Sequence, residues 1–119
     1  MHDFKKLEVW KEAVSFVIKI YKVTGKFPDF EKYGLGQQLN RASVSISSNI
    51  AEGAGRAFPK EFAMFLSIAY GSTCEVETQL FIARELSYFS DEIYMELSAS
   101  LSQIQKRIYN LKLKVSQVK

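Results

Sequence analysis

The chain has 119 residues, 47% of them hydrophobic and 24% charged, with only 6 Gly and 2 Pro. That balance excludes a disordered tail, a collagen-like repeat and a disulfide scaffold, and at this length one domain with one modest core is expected. The net charge of +3 is too small by itself to argue for nucleic acid.

Hydrophobic spacing predicts four helices and no strand. In the first segment Leu7, Trp10, Val14, Val17 and Tyr21 recur at alternating steps of three and four, which makes them the expected core stripe. Thr24-Gly25-Lys26-Phe27-Pro28 ends it, with Gly25 suited to left-handed backbone after a helix and Pro28 unable to continue one. Leu35, Leu39, Ala42, Ile46 and Ile50 form the second stripe, closed by Gly53 and Gly55. Pro59 opens the third helix, at a first-turn position where its missing N–H costs nothing. Phe62, Leu66, Ala69, Thr73, Val76, Leu80 and Ala83 then keep the cleanest register of the chain.

A break at Ser87-Tyr88-Phe89-Ser90 follows. Ser90 is suited to the N-cap, with Asp91 and Glu92 in a first turn whose dipole favours negative charge. Ile93, Leu97, Leu101, Ile104, Ile108, Leu111 and Val115 form the fourth stripe, with Lys112, Lys114 and Lys119 near its C-terminal end. Helices of about 20 residues span about 30 Å, and short connections force neighbours antiparallel. The predicted fold is an all-α, left-handed, up-down-up-down four-helix bundle over residues 1–119, with helices crossing near about 20°.

One bundle needs one apolar stripe per helix, and two segments carry more. The first adds Val9, Ala13, Phe16, Ile18, Ile20 and Val23; the third adds Phe65, Ile68 and Ile82 on one flank and Tyr70, Cys74 and Phe81 on another. The alternatives are a core thickened by bulky residues and association with copies of the same chain. Association is expected, because large exposed apolar patches are avoided on monomers and a helix apolar nearly all round is normally buried all round.

The single Cys74 excludes an internal disulfide and reads as a buried structural thiol in a reduced, cytoplasmic chain. The opening Met1-His2-Asp3-Phe4-Lys5-Lys6 contains no apolar run of a signal peptide, and no stretch of about 18 apolar residues crosses a bilayer. Charge is unevenly spread: residues 1–26 carry +3, residues 27–74 balance, residues 75–96 carry −5 and residues 97–119 carry +5. Such a dipolar chain attracts copies of itself, or polyanions at its basic end.

From Leu39 to Arg56 the chain reads Leu-Asn-Arg-Ala-Ser-Val-Ser-Ile-Ser-Ser-Asn-Ile-Ala-Glu-Gly-Ala-Gly-Arg. It is preceded by Leu7-Glu8-Val9-Trp10 and Tyr33-Gly34-Leu35, and followed by Phe65-Leu66-Ser67-Ile68-Ala69-Tyr70-Gly71-Ser72 and Glu75-Val76-Glu77-Thr78-Gln79-Leu80. These segments resemble the four-helix bundle proteins encoded inside intervening sequences of 23S ribosomal RNA genes. The resemblance implies a small bacterial bundle that assembles into a ring, a homopentamer, with its biochemical role unassigned. A related branch is similar to the accessory variability protein of diversity-generating retroelements, a basic pentameric barrel that partners a reverse transcriptase and nucleic acid. Ser47 stands where members often have Pro, which weakens any kink in the second helix. Phe58 stands where they often have Ser, so the third helix lacks a side-chain cap, at a cost of about 1 kcal/mol unless Phe58 packs as a hydrophobic staple.

Arg41, Ser45, Asn49, Glu52 and Arg56 lie beside the second stripe, and Ser72, Glu75 and Gln79 beside the third. Small and polar residues at these steps suit a hydrogen-bonded seam that sets helix register and subunit contacts. Glu52 and Arg56 are spaced for an ion pair, and Arg41 is expected to reach Glu75 or Glu77. Catalytic alternatives fail on inventory. His2 is the only histidine, Glu75 and Glu77 fall on different faces, and Cys74 has no histidine partner. No enzyme, cofactor, metal site, small-molecule substrate or membrane partner is therefore expected. The second functional reading is a nucleic-acid-binding accessory subunit. It rests on a basic face formed by Lys11, Lys19, Lys22 and Lys26 of the first helix with Lys106 or Arg107 and Lys114 of the fourth.

Overall fold

The periodic segments fold as four helices in the computed structural model, which describes residues 1–117: α1 (Glu8–Thr24), α2 (Leu35–Ala54), α3 (Pro59–Glu85) and α4 (Asp91–Ser116). Short 3-10 turns at Phe4–Lys6 and Asp29–Glu31 precede α1 and α2. Among the described residues there is no strand. Lys119, expected near the end of the fourth helix, lies outside the described residues.

Helix ends follow local chemistry, with two departures. Ser90 Oγ accepts a hydrogen bond from the Ile93 N–H at 3.2 Å and starts α4. Pro59 opens α3 without a side-chain cap, and Phe58 stands 67% exposed, so no staple forms. Gly25, after α1, is right-handed at φ −61° rather than left-handed, and no described glycine has a positive φ. The left-handed position belongs to Ser87 (φ 60°), just past α3. There the Tyr88 N–H reaches back to the Ala83 carbonyl at 3.0 Å and closes the last turn, a Schellman-type ending without its usual glycine.

The stripes of α2, α3 and α4 face inward as expected, with Leu39, Ile46, Ile50, Leu66, Val76, Leu80, Leu101, Ile104 and Ile108 essentially inaccessible. α1 is turned the other way. Its buried side chains are Val9, Ala13, Phe16 and Ile20, four of the six that read as surplus. Leu7 and Trp10 only lean on the core, and Tyr21 is exposed. Both sets satisfy a heptad. With this set inward, Glu12 and Lys19 pair with Arg107 and Glu96 of α4.

Cross-helix pairs give the topology. Thr24 meets Asn40 and His2 meets Ala54; Ser45 meets Ser72 while Gly53 lies against Phe62 and Phe65; Gln105 meets Thr73 while Arg84 meets Asp91. In each case the numbers fall along one helix as they rise along the next, so α1, α2, α3 and α4 run alternately. α1 closes the ring against α4 more sparsely than the other neighbours meet. Gly53 permits the tightest approach, since a Cβ there would sit 2.7 Å from Phe65 Cβ.

One clasp ties the two inter-helix connections at the same end of the bundle. The Tyr88 hydroxyl donates to Glu31 Oε2 at 2.7 Å, and the Leu35 N–H donates to Glu31 Oε1 at 3.1 Å. Gly34 leaves room for that carboxylate, because its Cβ would lie 2.6 Å from Glu31 Oε1. Phe27 packs beside it against Tyr88 and Phe89. The tyrosine bond first, then the backbone bond, hold the Glu31 carboxyl below its ordinary 4.5. The Glu31 bond likewise lifts the Tyr88 hydroxyl above 10.0. A depressed carboxylate stabilises the fold above its unfolded pKa and loses that contribution as pH falls through the folded value. The melting temperature of the Glu31→Gln variant should therefore lie below wild type at about pH 7, and the gap should close as pH falls through the folded value of the Glu31 carboxyl. A pH-independent gap would remove the carboxylate from this account.

Candidate functional site

The α2–α3 edge carries the polar seam. Ser45 Oγ and Ser72 Oγ share a hydrogen bond at 3.0 Å, and Asn49 Nδ2 donates to both the carbonyl and the hydroxyl of Ser45 at 2.8 and 2.9 Å. Gln79, only 6% exposed, donates from Nε2 to Glu75 Oε2 at 3.4 Å, and its Oε1 is buried without a partner. Arg56 pairs with Glu52 at 3.1 Å in solvent. Arg41 departs from expectation: among the described residues it forms no salt bridge with Glu75 or Glu77. Glu77 instead accepts from Gln105 of α4 at 3.0 Å. Glu77 lies on the α4 side of α3, whereas Arg41 projects from α2, so the body of α3 separates them.

Two further buried polar groups, Ser43 and Ser47, belong to neither the expected core nor the expected seam, whereas Thr73 sits in the expected third stripe. Ser43 and Ser47 on α2 and Thr73 on α3 satisfy their hydroxyls on the carbonyls of Asn40, Val44 and Tyr70, at 3.0, 2.9 and 2.6 Å. A serine bonded within its own helix behaves as a small core residue, a role that spacing alone does not distinguish from a seam. Truncating Ser72 to Ala should lower stability by about 1 kcal/mol, because Ser45 loses its partner across the seam. Arg56→Ala should change it by less than about 0.5 kcal/mol in chemical denaturation. Equal effects would contradict this division.

The expected basic face is divided. Lys11 pairs with Glu8 at 3.4 Å, Lys19 with Glu96 at 3.8 Å, and Arg107 with Glu12. Lys106 points away from these, into a groove shared with Tyr70 and Tyr109. Lys22 and Lys114 are unpaired among the described residues. Between α1 and α4 lies an open groove of about 480 Å³, with Ser15, Ala99 and Ser100 in its walls and Phe16 and Ile104 beneath.

The outward side of α3 carries exposed apolar side chains among polar ones such as Ser67, Glu75 and Thr78. Ile68 is 46% exposed, Ile82 42% and Phe81 49%. Met64 and Tyr70 accompany them. Cys74 lies here too, exposed rather than buried as expected, because the register that buries Thr73 and Val76 turns position 74 outward. Among the described residues no group of three or more His, Cys, Asp or Glu side chains is placed to hold a metal ion. No described helix is long and apolar enough to cross a membrane.

Fold and site together define an all-α four-helix protein with hydrogen-bonded polar groups along the α2–α3 edge. The sequence pattern of the 23S rRNA-intervening sequence proteins matches residues 5–110, and the chain belongs to that family. A crystal structure of a protein of unknown function, from the S23 ribosomal protein family of Bacteroides thetaiotaomicron, is similar over 87% of this chain and 94% of that one. The TM-score is 0.82 and the identity 22%, a likeness of fold. No curated protein matches the chain.

Proposed function

We propose that this protein is a non-enzymatic, self-associating bundle, a scaffold or partner-binding subunit whose copies meet through the outward side of α3. The observation that carries the reading is the exposure of Ile68, Phe81 and Ile82 on one helix. Covering each half-exposed side chain is worth about 1 kcal/mol, so a row of them favours association over solvation. α1 adds less support than its composition promised, because Val9, Ala13, Phe16 and Ile20 are spent on the core and Ile18 remains outside. A ring of five copies is the assembly that the family resemblance implies.

Polyanion binding is the weaker reading, since Lys11, Lys19 and Arg107 already face carboxylates and Lys106 lies on another side. Light scattering on the purified chain should give a mass near five times 13.6 kDa, and Ile68→Glu with Ile82→Glu should reduce it severalfold while helicity is retained. A particle of 13.6 kDa at high concentration overturns the proposal.

A further inference from the structure

We propose that the recess between the end of α1 and the start of α2 binds a small zwitterion, an α-amino acid with an apolar side chain. No residue of α3 lines this recess, and its occupancy does not depend on association between copies.

The recess is shaped by the α1–α2 connection. Pro28 leads into the Asp29–Glu31 3-10 turn, and the Lys32 N–H closes that turn on the Asp29 carbonyl at 3.1 Å. Side chains three positions apart in such a turn stand one above the other, so Asp29 and Lys32 reach the same side. Both line a volume of about 290 Å³. At about 30 Å³ for each water, that volume holds about ten, enough for an amino acid. Gly36 contributes bare backbone to its wall, and a Cβ there would lie 3.0 Å from the Glu31 carbonyl oxygen.

The polar groups of the recess lack partners. Among the described residues neither Asp29 nor Lys32 forms a salt bridge, and Lys32 has only the Tyr33 ring beside it, 5.6 Å away. Lys11, Lys19 and Arg107 differ, since each already faces a carboxylate. Asn40 is the third group. The Thr24 hydroxyl donates to its Oδ1 at 2.8 Å, which orients the amide and leaves Nδ2 as a donor to the recess.

These groups select a ligand by sign. A simple anion would meet the Asp29 carboxylate, a simple cation would meet the Lys32 ammonium, and a neutral molecule would leave both charges to water. A molecule with an ammonium and a carboxylate on one carbon matches both. Its carboxylate takes Lys32 Nζ and Asn40 Nδ2 and its ammonium takes Asp29, each through charge-assisted bonds. Tyr21, Phe27 and Pro28 complete the wall and offer an apolar surface to the ligand's side chain. Phe27 also packs on Tyr88, with ring centroids 5.1 Å apart, so a ligand against it steadies the Glu31–Tyr88 clasp.

Calorimetric titration of the whole chain with L-leucine tests the assignment, beside leucinamide, which lacks the carboxylate, and N-acetyl-L-leucine, which lacks the ammonium. Leucine should bind saturably and raise the melting temperature, as a ligand of the folded state does. Each blocked analogue should bind about tenfold more weakly or worse, having lost charge-assisted bonds. Asn40→Asp keeps the acceptor for Thr24 but sets a carboxylate where the free donor stood, and should lose leucine while remaining helical by circular dichroism. Asp29→Asn, on the exposed turn, should bind leucine and N-acetyl-L-leucine alike, and it carries the test should Asn40→Asp unfold. No saturable binding of L-leucine or L-phenylalanine, or blocked analogues that bind wild type as well as leucine does, overturns the assignment.

Discussion

A 27-residue helix can turn only one stripe toward a four-helix core, and the rest of this structure follows from how α3 divides its circumference. Phe62, Leu66, Ala69, Thr73, Val76, Leu80 and Ala83 form the inward stripe. The edges on either side belong to α2, through Ser72, and to α4, through Thr73 and Glu77. Ile68, Phe81 and Ile82 lie outside the core cluster and stay about half exposed, at 46, 49 and 42%. The core of a single bundle is complete without them, and the association proposed above would cover them.

Polar groups serve register and ends more than chemistry. The Ser45–Ser72 bond and the Asn49 amide fix α2 against α3 at one height, and Gly53 lets the same two helices close at another. Glu31 and Tyr88, 57 positions apart, bind the two connections at one end of the bundle. Gln79 is the exception, with a buried carbonyl oxygen left unpaired beside Glu75.

The sequence made most of this architecture legible because α2 and α4 each have one apolar stripe, and α3 keeps one unbroken register beside its surplus apolar residues. α1 was ambiguous for a physical reason: Leu7-Trp10-Val14-Val17-Tyr21 and Val9-Ala13-Phe16-Ile20 are both helical stripes, and the larger residues of the first drew the prediction. The observed set places Glu12 and Lys19 beside Arg107 and Glu96 of a helix more than 70 positions away, a tertiary contact that spacing cannot reveal. Cys74 misled by its chemical type, since a thiol reads as buried while the neighbouring register turns it out. Within the seam Ser45, Ser72 and Asn49 meet through hydrogen bonds, whereas Arg41 forms no salt bridge with Glu75 or Glu77 among the described residues, and Glu77 bonds to Gln105 of α4 instead. The Glu31–Tyr88 clasp left no local signal, as neither residue interrupts any pattern.

Cys74 offers the most direct reading of whether α3 is covered in solution, for its thiol lies on the outward side that a second copy would occupy. The rate of its modification by a water-soluble thiol reagent should be slow in concentrated protein and rise severalfold on dilution, as copies separate. A rate that is fast and independent of protein concentration would show the face open at all times and contradict the account.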